Sequence, residues 1–365
     1  MTGTSADALD IATVDFTLGD GDCGEELQLE LLDHREVGFP DDLGRDLLRL
    51  LDPHPVPLSL VAEVDSRLGK LCAQEVGLVL AETGVECDLV VSHGQTVQHL
   101  LVDAQVRGTL QIGQPAWIAE ETGCPVLSDV RSRDVAAGGQ GAPLASMLDQ
   151  LLLAGSPEPT AALNLGGIAN LTVVAPGVEP LAYDTGPANA LIDVMARRIT
   201  GEPRAIDQDG AMAAAGHIDD DLLDHLLAEP YYQRRSPKST GKELFHAAYL
   251  DRALAARPGL DAYDIIATLT RLSAETVAAE CRRHRVTRVV ASGGGTHNPM
   301  LMADLGRSLG SGVVLEETAS LGLPGDAKEA VLMALIGWLS WHGLPATIPS
   351  ATGASRGTPA GRITP

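Results

Sequence analysis

Short β-branched or leucine-rich runs alternate along this chain with longer stretches whose apolar residues recur at helical spacing, and that alternation predicts α/β layers rather than a sandwich or a bundle. Ile11-Ala12-Thr13-Val14-Asp15-Phe16 reads as a strand that follows an opening glycine turn. Val64, Leu68, Leu71 and Cys72 share one helical face, after which Leu89-Val90-Val91 forms a short buried strand ending in Ser92-His93-Gly94-Gln95. A strand that runs into a polar loop is the pattern of a site edge. Residues 161–165 and 171–174 are apolar arms on either side of Gly166-Gly167, as in a glycine-turned hairpin. Arg288-Val289-Val290-Ala291 is a further strand and leads into Ser292-Gly293-Gly294-Gly295. Val331, Ala334, Leu335, Trp338 and Leu339 mark one face of an amphipathic helix that starts close to Asp326. From Pro349 onward the Ser, Thr, Gly and Pro content leaves no core period, which predicts a surface segment with a frayed end.

Composition narrows the class. A chain of 365 residues, 45% of them hydrophobic, exceeds what one core usually holds, so two domains are expected. The glycine cluster at 138–141 suggests a crossover or hinge, giving domain I over 1–135, rejoined by 345–365, and domain II over 136–344. The formal net charge of -23 repels polyanions, so nucleic acid is not an expected partner. Any anionic ligand must then be held locally, by backbone donors, helix N-termini and a metal. The five cysteines, Cys23, Cys72, Cys87, Cys124 and Cys281, are scattered and odd in number, which fits a reducing compartment and neither a disulfide frame nor a zinc knuckle. No charged N-terminal region precedes an apolar run and no uncharged apolar stretch of ~18 residues occurs, so a soluble cytoplasmic protein without a membrane partner is expected.

Three glycine turns sit at strand ends: Gly3-Thr4-Ser5, Gly166-Gly167 and Gly293-Gly294-Gly295. Removing side chains there lets backbone N–H groups approach an oxyanion, and the Thr4 and Ser5 hydroxyls add donors; the plain alternative is a structural turn. Neither G-x-x-x-x-G-K-[ST] nor G-x-G-x-x-G is present, which disfavours a P-loop enzyme and an ordinary dinucleotide fold. Asp184 stands before Gly186-Pro187-Ala188-Asn189, a carboxylate at a strand end close to a helix start, suited either to activate a hydroxyl or water or to cap that helix. His93 and His99 have a spacing that fits no common metal pattern; His93, Gln95 and Thr96 instead suit hydrogen bonds to a polar ligand, or His93 holds the turn. Arg131, Arg133 and Asp134 offer either a fork for a carboxylate substituent or an exposed ion pair. Glu329, beside Lys328 in the first turn of the late helix, is a dipole-compensating acid or a substrate hydroxyl acceptor. Arg234, Arg235, Lys238 and Lys242 form a basic knot, placed either near phosphate or in a solvated loop.

Taken together, these residues resemble the anhydro-N-acetylmuramic acid kinases of the actin/hexokinase-like superfamily. The resemblance spans nearly the whole chain, through Gly3-Thr4-Ser5-Ala6-Asp7, 92–96, Leu110-Gln111-Ile112-Gly113, 131–144, 164–170, 184–193, 237–241, Thr268-Leu269-Thr270, 292–298 and 325–330. It implies two ribonuclease-H-like domains of the actin/hexokinase type with a nucleotide cleft between them, opening and closing about a hinge near 138–141. It implies ATP contacts from Gly3, Thr4, Ser5, Ala6, Asp7, Ala8, Leu9 and Asp10, from Gly166, Gly167 and Asn170, and near the nucleoside from Gly293, Gly294 and Gly295. Asp184 is implied as the general base, and Gln95, Thr96, Arg131 and Glu329 as contacts to an anhydro amino sugar. Mg²⁺ would bridge phosphate oxygens largely through waters, with few direct carboxylate ligands. A homodimer and a role in peptidoglycan recycling are further implications. The chain departs from the family pattern where Asp7-Ala8 replaces Asp-Gly, which sets a Cβ on a position that could favour positive φ, and where a strand is expected ahead of the first glycine turn, whose absence would leave neighbouring backbone groups unpaired. The residues also leave open a kinase of the same fold for another anhydrosugar such as levoglucosan, and a non-catalytic nucleotide-binding protein.

Overall fold

The computed structural model describes residues 1–2, 8–21, 24–52, 54–102, 105–236, 238–241 and 244–365. The expected phosphate contacts Gly3, Thr4, Ser5, Ala6 and Asp7 lie outside the described residues. The chain divides into two compact units, Met1–Leu151 with Ala327–Pro365, and Leu152–Asp326. Both divisions are offset from the expected positions after 135 and 344. The helix Lys328–Trp341 belongs with the first unit because its first turn is tied there: Lys328 Nζ pairs with Asp149 Oδ1 at 2.7 Å, both buried.

In the first unit, β1 (Ala8–Gly21) and β2 (Gly24–Gly38) form an antiparallel hairpin, β3 (Val90–Ser92) runs parallel to β6 (Val126–Ser128), and β4 (Gln95–Val102) pairs antiparallel with β5 (Gln105–Ile112). The expected helical face is real. Val64, Leu68 and Cys72, each four residues from the next in the helix Leu58–Thr83, are buried against Leu9, Leu43, Leu47, Ile112, Ile118 and Val126. That helix stops at Gly84, whose φ of 67° returns its N–H to Leu80 O. Ala8 opens β1 opposite Gly38, and the non-glycine residues with positive φ among those described are Asp129, Asp209 and Arg285; the alanine Cβ therefore costs no backbone strain. Among the described residues β1 pairs along its length with β2 and, at Leu9 and Asp10, with Met1 and Thr2, while β3 pairs with β6; both strands line a cavity of about 670 Å³ together with Met1, Cys72, Met333 and Trp338.

The segment after Pro349 is not frayed. It forms the short helix Pro349–Thr352 and β12 (Arg362–Thr364), which pairs antiparallel with β6; Thr352, Ala354 and Ala360 are buried. Its order comes from distant partners. Thr352 Oγ1 donates to Asp134 Oδ1 at 2.8 Å, and Gln140 N donates to Thr352 O at 2.8 Å.

The second unit holds β7 (Thr160–Leu165), β8 (Ile168–Ala175), β9 (Val178–Pro187), β10 (Arg288–Ser292) and β11 (Val314–Glu317) in one sheet of order β11-β10-β7-β8-β9. An antiparallel meander β7-β8-β9 with two strands parallel to its first is the order implied by a ribonuclease-H-like domain. Side chains alternate across β7: Ala161, Leu163 and Leu165 enter the core with Val277, Cys281, Leu301 and Leu305, while Ala162 joins Leu153 and Val290 on the opposite face. The helices Ala262–Arg283 and Pro299–Leu309 supply those partners. Asp261 starts the first by accepting a hydrogen bond from Tyr263 N at 2.8 Å, and Asn298 starts the second by accepting from Met300 N and Leu301 N.

Candidate active site

Within the second unit the sheet itself sets the site. Asn164, Asn170 and Asp184 stand in register on β7, β8 and β9. Asn170 Nδ2 donates to Asp184 Oδ1 at 3.0 Å, and Asp184 Oδ2 accepts from Ser239 Oγ at 2.9 Å and Thr240 N at 3.0 Å. The backbone is held as well: Asp184 N donates to Lys238 O at 3.0 Å and Tyr231 OH to Asp184 O at 2.7 Å. The alternative reading of Asp184 as a helix cap fails here. The helix Asn189–Thr200 starts only after Ala188, with no side-chain cap, and Asp184 lies inside β9.

Two glycine turns adjoin this carboxylate's sheet. Gly166-Gly167 links β7 to β8, and its carbonyls accept from Ala188 N, Asn189 N, Ala190 N and Asn189 Nδ2, which seats the start of the helix Asn189–Thr200 on the turn. Gly293-Gly294-Gly295 follows β10, whose Ser292 is level with Asn164 of the parallel β7. Gly293 has φ 87°, and a Cβ there would stand 2.3 Å from Asn164 Oδ1, so this turn reaches the end of β7 only as glycine. Both turns thus lie at the carboxyl ends of parallel strands, the position where open α/β sheets bind ligands.

The first unit carries the other candidates. His93 is buried, its Nδ1 2.7 Å from Gly94 O and its Nε2 3.1 Å from Arg131 Nε. Arginine only donates, so Nε2 accepts and the imidazole proton sits on Nδ1, donated to Gly94 O. Burial, with the Arg131 charge beside it, pushes the His93 pKa down to about 3, and the ring stays neutral. Arg131, half-buried, also donates Nη1 to Gly141 O at 2.7 Å; burial lowers its pKa, and the Glu329 carboxylate opposes that. Arg131 is therefore a guanidinium held along one side, not half of an exposed ion pair. Asp134 is buried too, accepting from Gly141 N and Thr352 Oγ1, while Arg133 is exposed. Gln95 is buried with Oε1 lacking a partner among the described residues, and Gln111 Nε2 donates to Thr96 Oγ1 at 3.1 Å while its own Oε1 also lacks one. Gly94 has φ 66°, and a Cβ would come within 2.3 Å of Ile112 O, which fixes the approach of this loop to β5. Glu329 reaches solvent, yet desolvation and the neighbouring Asp10 carboxylate raise its pKa.

The basic knot disperses. Arg234 and Arg235 are exposed, Lys238 is buried against Glu280, and Lys242 lies outside the described residues. Sequence reasoning missed the donor pair Ser239 and Thr240 on Asp184, the His93 contact to Arg131 and the role of Tyr231. The Ser239 hydroxyl within 237–241 was a usable signal for half of the first, whereas Thr240 donates through its backbone N–H, which any residue but proline would supply. No group of three or more His, Cys, Asp or Glu side chains placed to hold a metal ion occurs among the described residues, and none of the described helices is long and apolar enough to cross a membrane.

Comparison with known proteins supplies the context. A family model described as anhydro-N-acetylmuramic acid kinase matches residues 1–365. A protein of that name from Streptomyces coelicolor is 54% identical over 367 residues, covering 100% of this chain and 92% of its own. Relatives of the same name from Streptomyces avermitilis and Rhodococcus erythropolis are 50% and 46% identical, each covering 100% of this chain and 93% of their own.

Proposed function

This chain belongs to the anhydro-N-acetylmuramic acid kinase family, and from that premise we propose that it adds water across the 1,6-anhydro bridge of 1,6-anhydro-N-acetylmuramic acid while transferring the ATP γ-phosphoryl group to O6. The products are N-acetylmuramic acid 6-phosphate and ADP. In this reading Asp184 removes a proton from water, the water oxygen bonds to the anomeric carbon, the C1–O6 bond breaks, and the freed O6 attacks the γ-phosphorus as ADP leaves. The observation that carries it is the Asp184 carboxylate, held by donors from Asn170, Ser239 and Thr240 while its backbone is fixed by Lys238 and Tyr231. A base fixed at both carboxylate and backbone is oriented before substrate arrives, which is what proton abstraction needs.

Arg131 suits the lactyl carboxylate, and the unpaired Gln95 Oε1 suits a hydroxyl or amide N–H of the sugar. The Gly166-Gly167 and Gly293-Gly294-Gly295 turns suit the nucleotide, with Ala8, Leu9 and Asp10 following the expected first phosphate turn. Hard oxygen donors fit magnesium, and the Asn170 amide, whose Nδ2 makes the contact to Asp184, would turn its oxygen to the metal or to a metal-bound water. When bound to the triphosphate, the metal supplies neutralisation of phosphate charge. The same reading assigns the enzyme to cytoplasmic recycling of peptidoglycan amino sugars.

ADP release with Mg·ATP, measured with and without the anhydro sugar, tests it. Sugar-dependent release that yields the 6-phosphate and drops about 10³-fold in Asp184→Asn is expected, within the range for loss of a general base. Equal turnover in that variant removes Asp184 from the role; ADP release indifferent to the sugar overturns the substrate.

A further inference from the structure

We propose that Glu280 is a positioning residue for the candidate base: one buried carboxylate that fixes the strand carrying Asp184 and the segment carrying its hydroxyl partner in a single register. This rests on the reading of Asp184 as the base. Glu280 lies near the end of the helix Ala262–Arg283 and is 3% exposed. Its Oε2 accepts from Tyr183 OH at 3.0 Å and its Oε1 from Lys238 Nζ at 2.7 Å, while Arg283 Nη1 donates to Oε1 at 3.1 Å from the helix's last turn. Tyr183 directly precedes Asp184, and Lys238 directly precedes Ser239. The two residues that meet as donor and acceptor are thus each anchored, one position upstream, to the two oxygens of the same group.

The circuit closes on itself. Asp184 N donates to Lys238 O at 3.0 Å, Ser239 Oγ to Asp184 Oδ2 at 2.9 Å, and Lys238 Nζ also donates to Tyr232 O at 3.2 Å. The Lys238 ammonium lies 5.0 Å from the centre of the Tyr231 ring, whose hydroxyl donates to Asp184 O. Ser239 itself is exposed, so nothing in its own packing holds it against Asp184. Buried ion pairs contribute little net stability against an apolar replacement, and their attested use is to select one geometry. Here the geometry selected is the contact of Ser239 and Thr240 with the Asp184 carboxylate. A neutral Gln at 280 keeps the length but removes the charge that pairs with the Lys238 ammonium, and its single acceptor oxygen leaves an amide donor at the other end, so only one of the two anchors keeps its accepting partner.

The test is a double-mutant cycle on turnover, with folded fraction and melting temperature measured for each protein. Glu280→Gln is expected to lower kcat about 10-fold, equivalent to ~1.4 kcal/mol, with KM for ATP and sugar within about twofold. Ser239→Ala is expected to lower kcat comparably in the wild-type background and to add almost nothing in Glu280→Gln, because the contact it removes is already lost. Full additivity, or a lowered melting temperature with unchanged kcat per folded molecule, overturns the proposal. If Glu280→Gln does not fold, Tyr183→Phe removes one anchor without removing a charge, and the same cycle with Ser239→Ala decides. Asp184→Asn separates the two layers: if that variant turns over normally the base assignment fails first, whereas a dead Asp184→Asn with an additive Glu280–Ser239 cycle sinks only the positioning role.

Discussion

The two units use similar layers and differ in how completely their strands are joined. In the second, β10, β7 and β8 each have a neighbour on both sides, and Asp184 is bonded from side chain and backbone together. In the first, the strands fall, among the described residues, into three separate groups, with a cavity of about 670 Å³ bordered by β1 and β3. Of the sugar-side candidates there, Gln95 has a buried amide oxygen without a partner among the described residues, and so has Gln111, which donates to the candidate Thr96. A buried polar atom left unpaired costs on the order of 1–3 kcal/mol, and a ligand that pairs it recovers that cost. The difference separates two jobs: the candidate base stands on a satisfied sheet that resists displacement, and the candidate sugar contacts keep hydrogen-bonding capacity in reserve.

Core truncation should expose the contrast most strongly. Leu163 is fully buried within the continuous sheet of the second unit, so Leu163→Ala is expected to cost about 4 kcal/mol in denaturant unfolding. Leu9, buried but bordering the cavity, has fewer atoms to lose on that side, and Leu9→Ala is expected to cost about 2 kcal/mol. Equal costs would show that the cavity does not loosen its surroundings. The next effect is on binding. Arg131→Ala is expected to raise KM for the anhydromuramic sugar about 30- to 100-fold with kcat nearly unchanged, the loss of a charge-assisted pair worth ~2–3 kcal/mol. The same variant should leave KM unchanged for a neutral anhydrosugar. A wild type that prefers the neutral sugar would move the substrate to the levoglucosan type.

Much of the second unit was legible because its signals are local. β7 and β10 are written as apolar runs that end at glycine and β8 as one that follows glycine, and the requirement for glycine at Gly293 follows from its φ and its approach to Asn164. What was not legible depends on partners far along the chain. Lys238 reads as part of a basic knot until Glu280, 42 residues away, is seen to bury it, and Arg131 reads as exposed until His93, 38 residues away, accepts its Nε. The tail after Pro349 shows no period of its own because its order is supplied by β6 and by Asp134, 218 residues from Thr352. Ala8 was the opposite case: a glycine expected by resemblance suggested strain, whereas the residue simply opens a strand.

The smallest effect concerns pH, and it belongs to the first unit. His93 is buried with its pKa lowered to about 3, below the ordinary value of 6.5, and its Nε2 is occupied by a donor that cannot be removed. Between those two values the unfolded chain binds a proton at this site that the folded chain does not. Stability from this residue is therefore complete above pH ~6.5 and falls as the pH drops toward 3, with a limiting slope of about 1.4 kcal/mol per pH unit. Glutamine at 93 can accept from Arg131 and donate to Gly94 O without titrating, so His93→Gln should remove that slope while leaving stability at pH 8 within about 1 kcal/mol of the wild type. Urea unfolding of the two proteins from pH 5 to pH 8 reads the difference directly. Parallel curves would mean that the ring protonates in the folded state, and that its contact with Arg131 gives way on acidification.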